Sequence, residues 1–329
     1  MRAVLDDGLF GPGAATLSLM RLFAFAGEGR HRIEIGDEGG PLFEAWLAAR
    51  SPEDRDDVLL ALEISREAAR TPSKRTVNVA RQAVSDWTSR PPSLTLPDAA
   101  MLLGMPFGLM FENWRSDYKF LLAAANPQQR AEITQWKQLG WAELHNGGGL
   151  SDMQNRVEEI KKEEPARRLA LWLLFDSDAR TAGKPSRQSR DLFGACGRLI
   201  PRHQLTRRSI ENYVPERALR AWAAKKGDTT LKHRVDAFYS MSDAEQRHHF
   251  PMKGGLESDR GSADGENQDL YGPERLRPAL RARLERGFGD KLRDVFADEG
   301  IGIQTHDLRR DGSFDELNSA IGELLGWMK

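Results

Sequence analysis

The most apolar run of the chain, residues 169–175 (LALWLLF), leads directly into Asp176, Ser177 and Asp178. If that run is a strand, side chains at i and i+2 share a face. Asp176 and Asp178 would then project together from its end. Two carboxylates beside an apolar sheet repel each other unless a cation neutralises them. Magnesium suits such a pair, being a hard ion that prefers oxygen ligands and keeps several waters for a substrate phosphate. Glu112 closes a second apolar run, GLMF at 108–111, and is placed to complete the cluster or to act as a base. An Asp-x-Asp alone is a weak signal, because acids at strand ends are mostly just solvated. The order of the surrounding elements strengthens it.

Strands are expected at 108–111, 141–145, 169–175 and 203–205, with helices at 116–125, 128–139, 151–162 and 190–199 between them. Ser151 is expected to cap the third helix, just after the glycines 147–149. Alternating strands and helices are the grammar of a parallel sheet with crossover helices. Near-continuous apolar strands fit a sheet covered on both faces. In such sheets ligands bind at the carboxyl ends of the strands, where Glu112, Asp176 and Asp178 all fall.

The flanks read differently. Residues 1–40 are glycine-rich and irregular, with a short strand at 33–35. Residues 41–104 read as helical, with Ser51-Pro52 as a helix start, a helix over 76–89 and another from Leu96 to Leu103. After Tyr213, helices are expected at 216–226, 231–241, 274–288 and 314–328, and a mobile polar loop at 253–267. The expected organisation is a mainly helical docking or regulatory region at 1–104, an α/β catalytic domain at 105–255, and a helical region at 256–329.

Lys and Arg number 48 against 49 Asp and Glu, a net charge of −1, so any nucleic-acid surface must be local. Cys196 is the only cysteine. It excludes an internal disulfide and a Cys-rich zinc site, and its small neighbours suggest a buried position in a helix. No run approaches the ~20 apolar residues that a bilayer requires, and the first residues lack a signal-peptide pattern. The expected location is the cytoplasm.

Two segments carry a specific resemblance. MFENWRSDYKFL (110–121) resembles the first Toprim motif, in which an apolar strand ends in Glu and a helix with an early Asp follows. LWLLFDSD (171–178) is similar to the second, the strand with its Asp-x-Asp. The glycines 147–149 match those expected after the middle strand. RRSIENYVP (207–215) resembles a further segment of the OLD-nuclease-like Toprim superfamily, which implies a metal-supporting role for Glu211. A downstream lysine assists catalysis in that superfamily, and Lys253 in FPMKGGL is the match. Two departures stand out: Asn113 replaces the glycine common after the Toprim glutamate, and no G-x-x-x-x-G-K-[S/T] occurs.

The resemblance covers residues 105–255 and implies a Toprim-like, Rossmann-type sheet performing phosphodiester chemistry with Mg²⁺ or Mn²⁺. Glu112, Asp176 and Asp178 would bind metal, Glu211 would support a second ion, and Lys253 would steady the phosphate. Arg207, Arg208 and Arg180 are candidates for the substrate backbone. A stand-alone Toprim nuclease acting on DNA or RNA is the leading expectation. It resembles effectors of bacterial anti-phage defence that act beside an ABC- or SMC-type ATPase subunit, with homo-oligomerisation possible in principle and no membrane partner. The alternatives are a catalytically quiet assembly subunit and a primase-like nucleotidyl transferase. His248 and His249 are read as surface or interface residues. Trp46, Trp172 and Trp222 are read as core, and Trp114 as a residue that lines the site.

Overall fold

The architecture follows from two short sets of β-branched and apolar residues spaced by amphipathic helices. A computed structural model describes residues 1–36, 40–69, 73–261 and 265–329. The first set forms β1 (Arg2–Leu5), β2 (Arg32–Ile35), β3 (Thr76–Val79) and β4 (Ser93–Leu94). They make a parallel sheet in the order β2-β1-β3-β4. Helices α1 (Thr16–Gly27), α2 (Pro41–Ala48), α3 (Pro52–Ala68) and α4 (Leu96–Gly104) connect and cover it. The start of α3 is as expected: Pro52 leads the helix and the Asp54 amide donates to Ser51 Oγ at 3.1 Å.

The strand expected at 33–35 forms as β2, but the reading of residues 1–104 is corrected in two places. Residues 1–36 carry β1 and α1 besides that strand, and the helix expected over 76–89 does not form. Thr76–Val79 is instead a strand whose Val77 and Val79 are buried while Asn78 is exposed. A four-residue strand offers too few alternations to separate it from a helical turn by periodicity.

The second sheet contains β5 (Phe107–Phe111), β6 (Ala142–Asn146), β7 (Leu171–Phe175) and β8 (Arg202–Gln204), ordered β6-β5-β7-β8 and parallel throughout. All four lie within two residues of where the sequence placed them. Between them run α5 (Trp114–Ala124), α6 (Pro127–Gln138), α7 (Leu150–Glu163), the short α8 (Pro165–Leu169) and α9 (Arg187–Cys196). The protein is therefore a Rossmann-like α/β structure with two four-stranded parallel sheets.

The alternation of β7 explains why both faces of this strand are dry. Trp172 and Leu174 point into a core shared with the first sheet and with the C-terminal helix Phe314–Met328. Leu171, Leu173 and Phe175 point the other way, onto Met153, Val157 and Ile160 of α7 and Leu192 and Cys196 of α9. Burial pushes the Cys196 thiol up to about 11, which leaves it an inert core residue.

Beyond Tyr213 come α10 (Glu216–Lys226) and α11 (Thr229–Tyr239), close to expectation. The helix expected over 274–288 shrinks to Pro278–Leu284, followed by a 3-10 stretch at Asp290–Ala297. The loop expected over 253–267 contains a helical turn at Leu256–Arg260, and its residues 262–264 lie outside the described ones. Among the described residues, no helix is long and apolar enough to cross a membrane.

Candidate functional site

In a doubly wound sheet a crevice opens where the chain leaves adjacent strands in opposite directions. Here that point lies between β5, which leads to β6 on one side, and its other neighbour β7. Glu112 follows β5 directly and Asp176 follows β7 directly. A cavity of about 200 Å³ sits there, lined among others by Glu112, Asp117, Asp176, Glu211, Lys253 and Arg293.

Local geometry fixes each acid. The Asp176 amide donates to Glu112 Oε1 at 2.8 Å, tying the two strand ends together. The Ile210 amide donates to Asp176 Oδ1 at 3.1 Å, which brings the Ile210–Tyr213 turn and its Glu211 to the site. Asp117, in the first turns of α5, accepts from the Asn113 amide at 2.9 Å and from Ser116 Oγ at 2.7 Å. Gly148 and Gly149 complete the wall with φ of 75° and 110°, values a side chain would strain. That freedom lets α7 begin at Leu150 with Gly149 as its N-cap, not Ser151 as the sequence suggested.

Asp178 departs from the expected arrangement. The strand ends at Phe175, so the rule that i and i+2 share a face does not apply to Asp176 and Asp178. Asp178 adopts a left-handed φ of 49°, held by its amide donating to the Arg208 carbonyl at 2.8 Å. It stands exposed at the rim and does not line the cavity with Asp176. Its carboxyl still lies above the ordinary range, because its inner side is desolvated.

Burial dominates the electrostatics of the crevice, and the crowding of acids adds to it. Burial, and then the neighbouring Asp178 and Asp117, push the Glu112 carboxyl from an ordinary 4.5 to about 7. Burial, Glu112 and Glu211 hold Asp176 well above the carboxylate range. Asp117 is raised chiefly by burial. Glu211 is 0% exposed, and neither of its carboxylate oxygens accepts a hydrogen bond among the described residues. Its neighbours of opposite charge are Lys253 Nζ at 3.4 Å and Arg293 Nε at 3.6 Å.

These raised values have a sign that can be checked. Between pH 4.5 and about 7 the folded protein keeps a proton on Glu112 that the unfolded chain has released. Unfolding then releases protons, so stability falls as pH rises through that window, by up to about 3 kcal/mol. Thermal melts in chelator-treated buffer are expected to show this fall, and Glu112→Gln is expected to flatten it.

Lys253 and Arg293 reach the site from beyond the second sheet, and a backbone clamp positions them. The Phe288 and Gly289 amides donate to the Met252 and Lys253 carbonyls at 2.6 and 3.0 Å. A Cβ on Gly287 would lie 2.4 Å from the Lys253 carbonyl oxygen. Gly287→Ala is therefore expected to force the two segments apart, destabilising the fold by about 1–3 kcal/mol and displacing Lys253. Denaturant melts would show the first effect, and a weaker pull of Lys253 on the Glu112 titration, followed by NMR, the second.

The three predicted substrate arginines are engaged elsewhere. Arg207 Nη1 donates to Asp311 Oδ2 at 2.5 Å and to the Asn212 carbonyl at 2.8 Å. It lines a larger cavity of about 1010 Å³ behind the Glu211 turn, where Arg217 pairs with Asp307 and Arg220 with Glu216. Arg208 makes a two-point pair with Asp259 at 2.6 and 2.7 Å. Arg180 Nη1 donates to the Gly265 carbonyl at 2.5 Å. His249 is buried, its Nδ1 2.9 Å from the Ala179 carbonyl, so it braces the loop after Asp178 and is not the surface residue expected. Trp114 is 39% exposed and outside the cavity lining.

Asp117 and Arg293 belong to the site without having been singled out. Asp117 lay in plain view inside the 110–121 segment. Arg293 carried no local signal, since only the fold brings it back across the sheet.

Glu112, Asp176 and Glu211 are the residues that could hold a cation. No three of the described His, Cys, Asp and Glu side chains converge into a ready-made cage. The donor set is all-oxygen and partly protonated in the absence of a cation, which suits a hydrated divalent ion held by one or two direct carboxylates. Comparison of the chain with protein-family models, with curated proteins and with solved structures finds no match.

Proposed function

We propose that the protein is a cytoplasmic Mg²⁺-dependent nuclease of the Toprim type. The observation that carries this reading is the cavity at the β5/β7 switch point, where four carboxylates face Lys253 and Arg293. A magnesium ion there would polarise a phosphodiester and lower the cost of forming an attacking hydroxide. Glu112 and Asp176 would hold it, with Glu211 on the far wall and Asp178 within reach of its waters at the rim. Lys253 and Arg293 supply the positive charge that a transferring phosphoryl group needs. The resemblance of residues 105–255 to stand-alone OLD-like proteins supports a role as an anti-phage effector working with a separate ATPase subunit.

Purified protein incubated with plasmid, single-stranded DNA and total tRNA tests the reading. Cleavage is expected with Mg²⁺ or Mn²⁺, absent with chelator and lost in Glu112→Gln. Cleavage that survives Glu112→Gln would sink it. A wild type that is inactive even with its ATPase partner would favour the quiet assembly subunit.

A further inference from the structure

The segment joining Arg275 to Arg293 concentrates charge that the rest of the chain balances out. Seven of its residues are basic (Arg275, Arg277, Arg281, Arg283, Arg286, Lys291 and Arg293) and two are acidic, Glu285 and Asp290, in a chain whose net charge is −1. Some of these cations are spent on structure: Arg281 pairs with Glu266 and Arg275 with Asp243. Arg277, Arg283, Arg286 and Lys291 are exposed, and among the described residues none of their side chains makes a hydrogen bond or an ion pair; of the four, Arg286 and Lys291 lie nearest in the chain to Arg293.

The fold ties the second half of this stretch, residues 286–293, to the carboxylate cavity. Midway along it, Gly255 approaches so closely that a Cβ there would lie 2.3 Å from the Arg286 carbonyl carbon. Arg286 thus abuts the loop that carries Lys253. At its end, Arg293 lines the cavity and faces Glu211 at 3.6 Å. Arg234 of α11 adds to the charge, its Nη1 donating to the Gly287 carbonyl at 2.7 Å. Burial, and to a lesser extent the nearby Arg286, make the Arg234 charge harder to hold, which places the two cations close to each other. Unpaired cations leading into a site are what a polyanion neutralises, with release of its counterions.

We infer that Arg286 and Lys291 form a track for a nucleic-acid backbone, guiding a strand past Lys253 and Arg293 into the cavity. The inference rests on the nuclease reading for its direction, since the track ends at the carboxylates. It replaces Arg207 and Arg208 as the surface that meets substrate. Contact is to phosphates, so binding is expected to be insensitive to sequence and steeply dependent on salt.

Fluorescence anisotropy of labelled single-stranded DNA, single-stranded RNA and duplex DNA, titrated with full-length protein in chelator, tests this without cleavage. The comparison is wild type against Arg286→Glu/Lys291→Glu, with thermal melts to confirm that both are folded. The double variant is expected to bind about tenfold more weakly and to show a shallower dependence of affinity on salt. The three probes identify which backbone is preferred. Equal binding and equal salt slopes for folded wild type and variant would overturn the track, as would a wild type that binds none of the probes. The nuclease reading fails separately: binding that depends on Arg286 and Lys291, without metal-dependent cleavage lost in Glu112→Gln, would keep the track and discard the catalysis.

Discussion

Replacing Asp176 by Asn is expected to lower metal-dependent cleavage by about a thousandfold and, in the same protein, to raise thermal stability in metal-free buffer at neutral pH. The two effects have one cause. Asp176 sits where burial and the neighbouring Glu112 and Glu211 oppose its negative charge. Asparagine keeps the oxygen that accepts from the Ile210 amide and removes the charge. The repulsion it relieves is worth about 1 kcal/mol or more, which amounts to a few degrees in melting temperature. Added Mg²⁺ is expected to stabilise the wild type and to stabilise the Asn variant much less. A residue with only a structural role would give the opposite pattern, with activity and stability falling together. Full activity in the Asn variant would remove Asp176 from the chemistry.

Arg208→Ala is expected to cost about 3–5 kcal/mol of stability, the range for breaking a buried ion pair from one side. Asp259 is 2% exposed and would lose both hydrogen bonds of its two-point partner. Arg208→Ala combined with Asp259→Asn is expected to cost less than the first change alone, and that non-additivity marks a pair. Urea denaturation of the two single variants and the double variant measures it. If Arg208 met substrate instead, its removal would raise KM and leave the unfolding midpoint in place. The pair also has a reach beyond itself, because the Arg208 carbonyl receives the Asp178 amide in its left-handed turn.

The second sheet was legible in the sequence chiefly because its two central strands, β5 and β7, are continuous and apolar. GLMF and LWLLF have no helical periodicity and are bounded by acids and glycines, so type and position both followed. Of the first sheet only the strand at 33–35, now β2, was legible. RAVL and TVNV are four residues each, too short for a clear alternation, so the flanking helices dominated the pattern. Within the site, Glu112, Asp176, Glu211 and Lys253 were found from the sequence and do line one cavity. Asp178 was placed wrongly because a strand rule was carried past the end of the strand. Arg207 and Arg208 were misread for a different reason. Their partners, Asp311 and Asp259, lie 104 and 51 residues away in the chain, and no local pattern reveals such a pairing.

The clamp between Met252–Lys253 and Phe288–Gly289 bears on how the protein is made. The groups around the cavity come from positions 112, 117, 176, 211, 253 and 293, so closing it requires contacts across more than half of the chain. Such long-range closures form late in folding, and domains fold as their residues leave the ribosome. A nascent chain that has emerged only through β8 already has the sheet with Glu112, Asp117 and Asp176, but neither Glu211, nor Lys253 and the loop that seats it, nor Arg293. A nuclease built this way would stay silent throughout its own synthesis, and fragments from interrupted translation would carry the carboxylates without the charges needed to grip a phosphate.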